Sequence, residues 1–251
     1  MVQEDTKQTG FTRFPNSYLV SDCRKRFGVD RKFYIIYMLL DQARSRTWHS
    51  WITIRKVLEC YHYHPDKKWI KAADEVLDVL YYMERHHMIR LCTDVTKPTY
   101  DLGIEVKILP GFIPDQDFTK LPDSYFDFIL QAEGNPEPLF RILLYLSYYL
   151  DSYSPTLEDN RIPSHVCWRS VETIARDLSM AKKTVLSGID FLCKGRDGKS
   201  ALLRKLDGEY KDRALKKFPT IYTWNQEGWE TRLQEAKHYL LENWCSATEN
   251  K

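Results

Sequence analysis

The chain has 251 residues, a formal net charge of +2, and 43% hydrophobic and 14% aromatic residues. This composition excludes a disordered polypeptide and is typical of one or two globular domains. The longest apolar run, residues 142–150, is too short to span a bilayer, so we expect no membrane association.

The N-terminal ten residues and the cysteines predict a cytoplasmic protein. The first ten residues contain no apolar core, so no signal peptide is predicted. The six cysteines stand apart and form no Cys-x-x-Cys pair. We therefore expect free thiols in a reducing compartment and not a disulfide framework.

A sequence element near the N-terminus returns 107 residues later. Residues 11–19, FTRFPNSYL, match residues 118–126, FTKLPDSYF, and without a gap residues 33–39 match residues 140–146. A repeat of this length predicts two copies of one small domain. We place the first domain at residues 1–108 and the second at residues 109–251, where a C-terminal amphipathic helix follows.

The first copy predicts three helices and a pair of strands. Residues 31–46 carry apolar side chains at helical spacing, and a second helix follows Trp51. A third helix begins at Asp66. Strand-like segments lie at residues 88–92 and 98–102, and residues 103–117 are expected to link the copies. The apolar stripe of the third helix is predicted to be Ile70, Ala73, Leu77 and Leu80.

The second copy predicts the same order of elements. A very apolar helix at residues 138–151 precedes Trp168 and a second helix. The third helix buries Val185, Ile189 and Leu192, and strands are expected at residues 201–206 and 219–224. Both copies are thus predicted to be winged helix-turn-helix units. We expect a fold that is mostly α with small β wings, made of two tandem winged helix-turn-helix domains.

Residues 170–178 and 182–189 resemble the helix-turn-helix of winged-helix DNA-binding proteins. The resemblance implies that the start of the second helix meets phosphates and base edges in the major groove of double-stranded DNA. The polar residues that lie there, off the apolar stripe, are Lys182, Lys183, Thr184 and Ser187.

The distribution of charge favours DNA binding more than the net charge does. Residues 182–217 hold 11 basic and 5 acidic residues, whereas residues 114–160 hold 2 basic and 9 acidic residues. Basic clusters of this kind neutralise phosphates. The further DNA-binding residues predicted in the second copy are Arg204, Lys205, Lys211, Arg213, Lys216 and Lys217. Those predicted in the first copy are Lys67, Lys68 and Lys71.

The whole chain resembles replication initiators of Gram-positive plasmids and phages, of the RepA N-terminal-domain type and the DnaD-like type. The residues that carry the resemblance are the repeated opening, Phe11 to Pro15, and residues 33–41. It implies an origin-binding protein of a plasmid, phage or mobile element in the bacterial cytoplasm, associated with the nucleoid or a plasmid. Replication or helicase-loading proteins are the implied partners. A transcriptional repressor and a winged-helix protein-interaction adaptor remain alternatives.

Catalytic and metal-binding patterns are not evident in the sequence. We find no phosphate-binding glycine loop, no nucleophile elbow and no carboxylate pair in an acid–base setting, so we expect no enzyme and no cofactor. Cys60, His62 and His64 would not share a helix face, so no metal site is predicted.

The last predicted helix, residues 225–244, is amphipathic. Its apolar face must be buried, either on the second domain or against a second copy of the chain. We favour a homodimer, because initiators and repressors of this architecture commonly act as dimers. The apolar face consists of Trp229, Leu233, Ala236, Leu240 and Trp244.

Overall fold

The chain is a mixed α/β protein of helices and small sheets. The computed structural model describes residues 10–16, 32–63, 69–96, 99–110, 112, 117–152, 165–196, 201–207 and 219–246. It divides into two compact units, Met1–Phe140 and Arg141–Lys251. None of the helices in these ranges combines the length and the apolar character that a membrane span requires.

The first unit contains two antiparallel sheets and the helices that pack on them. A two-stranded sheet pairs β1 with β5, and a three-stranded sheet has the order β2-β4-β3. The elements are β1 (Phe11–Pro15), α1 (Phe33–Gln42), β2 (His49–Thr53), α2 (Ile54–Cys60), α3 (Trp69–Arg85), β3 (Ile89–Leu91), β4 (Gly103–Ile108), β5 (Phe118–Pro122) and α4 (Asp123–Ile129). Helix α5 (Glu137–Ser147) begins here and ends in the second unit.

Helix α1 forms the centre of the first core. Its residues 33–40 are all buried, so it is covered on every side and not only on one face. The ring of Tyr37 stacks on Phe112 at 4.3 Å between centroids and lies 4.7 Å from Phe14. Phe14 in turn meets Phe140 edge-to-face at 5.4 Å. The repeated segments therefore share one aromatic core.

The two copies of the repeated element pair with each other. Strands β1 and β5 form an antiparallel ladder from Phe11 opposite Pro122 to Pro15 opposite Phe118. Residues 109–140, which the sequence analysis assigns to the second domain, consequently lie in the first unit. The reason is that β5 pairs with β1 in one sheet and buries Thr119 and Leu121 on the same face as Thr12 and Phe14 of β1, instead of beginning a separate core.

Strand β4 corrects two predictions for the first copy. The predicted linker at 103–117 is wrong over residues 103–108, which form the central strand between β2 and β3. The predicted strand at 98–102 is also wrong, since residues 100 and 101 form a turn. Ile104, Val106 and Ile108 are buried in alternation, which is the strand pattern that the prediction missed.

The second unit repeats the order helix, strand, helix, helix, strand, strand. Its sheet has the order β6-β8-β7, so the last strand is central, as β4 is in the first unit. After α5 come a π-helical turn (Tyr148–Ser152), β6 (Val166–Cys167), α6 (Val171–Asp177), α7 (Lys182–Lys194), β7 (Leu203–Leu206), β8 (Ile221–Trp224) and α8 (Trp229–Ser246). The predicted strand pair and the buried stripe of α7 are confirmed.

Helix α8 docks on its own unit. Leu233, Ala236 and Leu240 are buried in one cluster with Val166 of β6 and Ile221 of β8. Trp229 packs partly buried against this cluster. The sheet of the same unit thus covers these apolar residues, in agreement with the docking alternative, and a dimer through this helix stays a prediction. The side chain of Trp244 lies outside the described residues.

Candidate nucleic-acid interface

The candidate interface is built on α6, α7 and the turn between them. Ser170 caps α6, because its Oγ accepts a hydrogen bond from the Thr173 amide at 3.1 Å. In the turn, Ser179 adopts a left-handed conformation with φ of 51°. The Met180 amide donates to the Ala175 carbonyl at 2.8 Å, which closes the turn and directs the chain into α7.

Helix α5 fixes the same turn from behind. Arg141 donates from Nη2 to the Leu178 carbonyl at 2.7 Å, and the Tyr145 hydroxyl donates to Asp177 Oδ2 at 2.7 Å. Both donors are buried. Neither residue was predicted to support this turn. Arg141 is the one charged residue in the apolar run 138–150, and a lone charge in such a run is the sequence signal that could have identified it.

The outward face of α7 carries the residues predicted to contact DNA. Lys182, Lys183 and Ser187 are exposed, and Thr184 is half-buried. Leu186 lies among them and is 50% exposed. It was not predicted as a site residue, yet an exposed aliphatic group on such a face can contact the methyl group of thymine. The start of α7 thus presents two cations, two hydroxyls and one apolar group.

The two lysines differ in their electrostatic surroundings. Lys182 Nζ lies 3.1 Å from Glu172 Oε1, and both side chains are 62% exposed. Hydrogen bonds from its own backbone amide and from Lys182 lower the pKa of Glu172. An exposed pair of this kind contributes little stability. Lys183 has no carboxylate partner among the described residues.

Arg204 and Lys205 of β7 are engaged within their own unit. Arg204 donates from Nε to Asn225 Oδ1 at 2.8 Å and lies over the Trp229 ring at 5.1 Å. Lys205 Nζ lies 3.3 Å from Asp190 and 3.7 Å from Asp207. Although partial burial opposes it, these carboxylates raise the pKa of Lys205. Both side chains therefore hold β7 to its neighbours in the unit.

The exposed face of helix α3 in the first unit differs in composition from the exposed face of α7. Lys71 is exposed, but Asp74 and Asp78 are exposed beside it on the same helix. Ile70, predicted to be buried, is 58% exposed, and Tyr81 is 37% exposed. The prediction for Ile70 is wrong because the buried stripe of α3 runs instead through Ala73, Val76, Leu77 and Leu80. This face combines acidic and apolar groups.

Six predicted DNA-binding residues lie outside the described residues. They are Lys67 and Lys68 before α3, and Lys211, Arg213, Lys216 and Lys217 between β7 and β8. Within the described ranges, His, Cys, Asp and Glu side chains form no group of three or more that could hold a metal ion.

No protein-family model matches the chain, and no curated protein matches it at a significant level.

Proposed function

We propose that the chain is a tandem winged-helix protein that binds double-stranded DNA through α7 of the second unit. The order α5, β6, α6, α7, β7, β8 is that of a winged helix, in which the third helix enters the major groove. The first unit has the equivalent order from α1 to β4. The observation that carries the proposal is the exposed basic start of α7, opposite a fully buried apolar stripe.

The proposed biological role is replication initiation at the origin of a plasmid, phage or mobile element. The repeated opening and residues 33–41, which resemble such initiators, form β1, β5 and the buried helix α1. Replication or helicase-loading proteins are the partners that this role requires. An initiator with two tandem units should protect repeated or extended sites, whereas a repressor would protect a short palindrome. Footprinting over the DNA that flanks the gene distinguishes the two roles.

The proposed DNA contact is tested by removing two charges at the start of α7 and, as a control, two charges at and just after its end. The double variant Lys182→Ala, Lys183→Ala should weaken duplex binding by about 1–3 kcal/mol if one lysine makes a good base contact. The matched control is Lys194→Ala, Arg196→Ala, which removes the same charge at the other end of the helix and should change affinity much less. Equal affinities of both variants and the wild type would refute the assignment.

A protein-interaction role is the second candidate, and the face of α3 favours it for the first unit. Asp74 and Asp78 would repel phosphate, while Ile70 and Tyr81 expose apolar surface that a protein could cover. The variant Asp74→Ala, Asp78→Ala should therefore leave duplex affinity unchanged. A clear rise in affinity would place α3 near the DNA and would argue against a protein contact.

A further inference from the structure

The β1–β5 ladder has one buried and one outward face. Thr12 and Phe14 of β1 and Thr119 and Leu121 of β5 point into the unit and are buried. The alternate positions point outward. They carry a ring and then a cation on each strand, namely Phe11 and Arg13 on β1, and Phe118 and Lys120 on β5. We call these four residues the ribbon face.

The two cations of the ribbon face lie directly opposite each other. Arg13 pairs with Lys120 in the ladder, and the two are also equivalent residues of the repeat. Like charges in this position destabilise a strand pair. Among the described residues neither cation has a carboxylate within ion-pair distance. Within the described part of the chain, two positive charges therefore lie side by side without a carboxylate partner, which is an arrangement suited to an anion.

Aromatic rings surround these cations. The Arg13 guanidinium lies 4.9 Å from the Phe118 centroid and 5.9 Å from the Phe11 centroid. Lys120 Nζ lies 5.2 Å from the Phe11 centroid. Cation–π contacts of this kind hold both charges in place without neutralising them. Phe11 nevertheless remains 45% exposed, so part of its ring is open to a further ligand.

We propose that the ribbon face binds single-stranded nucleic acid, with a phosphate between Arg13 and Lys120 and a base stacked on Phe11. The two cations alone would suit any phosphate. The exposed ring favours a single strand, because the bases of a duplex already stack on each other, whereas unpaired bases stack on aromatic side chains. This site lies in the first unit and involves no residue of α7, so it does not rest on the proposed duplex contact.

The ring is tested separately from the charges. The variant Phe11→Leu keeps an apolar side chain and both cations but removes the aromatic face. Fluorescence anisotropy with labelled oligo-dT and oligo-U of about 16 nucleotides measures binding. Loss of one stacked base should weaken binding roughly 5- to 150-fold. Unchanged affinity of Phe11→Leu for both oligonucleotides would overturn the proposal, as would failure of the wild type to bind either.

The charges are tested against a matched pair in the same unit. Arg90 of β3 and Lys107 of β4 are also directly opposite each other and exposed, but neither makes a cation–π contact with a described Phe, Tyr or Trp ring. The variant Arg13→Gln, Lys120→Gln should reduce the salt slope of single-strand binding by roughly 0.7 for each phosphate that is no longer neutralised. The variant Arg90→Gln, Lys107→Gln should leave that slope unchanged. An equal reduction in both variants would mean non-specific attraction and would overturn the site.

Two further comparisons identify the ligand and separate this proposal from the duplex contact. A preference for oligo-U assigns RNA to the ribbon face, a preference for oligo-dT assigns single-stranded DNA, and equal binding assigns single strands of either kind; each supports the site. The variant Lys182→Ala, Lys183→Ala should retain single-strand affinity, while Phe11→Leu should retain duplex affinity. If the lysine variant alone abolished single-strand binding, α7 and not the ribbon face would be the binding site.

Discussion

Asn16 and Asp123 are equivalent residues of the repeat, and their backbone amides make equivalent hydrogen bonds. The Asn16 amide donates to the Asp117 carbonyl at 2.9 Å, and the Asp123 amide donates to the Gly10 carbonyl at 3.0 Å. These two bonds extend the β1–β5 ladder symmetrically at its ends. The side chains differ, because only Asn16 offers both a donor and an acceptor.

The first prediction concerns that side chain. Asn16 donates from Nδ2 to Asp117 Oδ1 at 2.8 Å, and its Oδ1 accepts from the buried Thr119 hydroxyl at 2.7 Å. The variant Asn16→Ala should cost about 1–3 kcal/mol of unfolding free energy, because the Thr119 hydroxyl loses its acceptor. Urea unfolding measures this cost. In the Asn16→Ala background, Thr119→Val should cost less unfolding free energy than it costs in the wild type. Strictly additive costs would contradict the Asn16–Thr119 hydrogen bond.

The second prediction concerns the support of the helix-turn-helix. The variant Arg141→Met should cost about 1–3 kcal/mol of unfolding free energy, because the Leu178 carbonyl loses a buried donor. It should also weaken duplex binding, since the turn that orients α7 is released. The control is Arg176→Met, because Arg176 is 75% exposed and pairs only with its neighbour Asp177 among the described residues. Equal effects of the two variants would exclude a bracing role for Arg141.

The third prediction concerns α8. Leu240 is 3% exposed within the cluster on β6 and β8, whereas its neighbour Leu241 is only partly buried. The variant Leu240→Ala should cost about 2–5 kcal/mol, as removal of a buried leucine does, and Leu241→Ala should cost less. Light scattering should give the same mass for both variants and the wild type. A wild-type dimer that Leu240→Ala dissociates would instead assign this helix to a dimer interface.

The fourth prediction concerns stability at high pH. Burial, followed by the charge and hydrogen bond of Glu137, raises the pKa of Tyr61 well above 10. The unfolded chain therefore loses this proton first, so the contribution of Tyr61 is fully present below pH 10 and falls as the pH rises further. The difference in unfolding free energy between wild type and Tyr61→Phe should shrink between about pH 9 and about pH 11, by up to about 1.4 kcal/mol per pH unit.

A constant difference in unfolding free energy between wild type and Tyr61→Phe over this pH range would show that Tyr61 is not held protonated in the folded state.

Local patterns in the sequence were enough to predict much of the second unit. The strands at 203–206 and 221–224 and the stripe Val185, Ile189 and Leu192 follow from alternation and helical spacing. The exposure of Lys182 and Lys183 follows from the same spacing, because both lie off that stripe. The repeat itself was visible as identical and similar residues at one fixed offset.

The tertiary structure alone decided which element packs on each apolar or charged surface. Strand β4 pairs with β2 across more than 40 intervening residues, and β1 pairs with β5 across about 100, so neither pairing has a local signal. The sequence pattern of α8 is the same whether its apolar face is buried in a dimer or on its own unit. The sequence around Arg204 and Lys205 likewise does not depend on whether their side chains are free or paired. Periodicity in a sequence reports which side of an element is apolar or charged, and only the folded chain supplies the partner that contacts it.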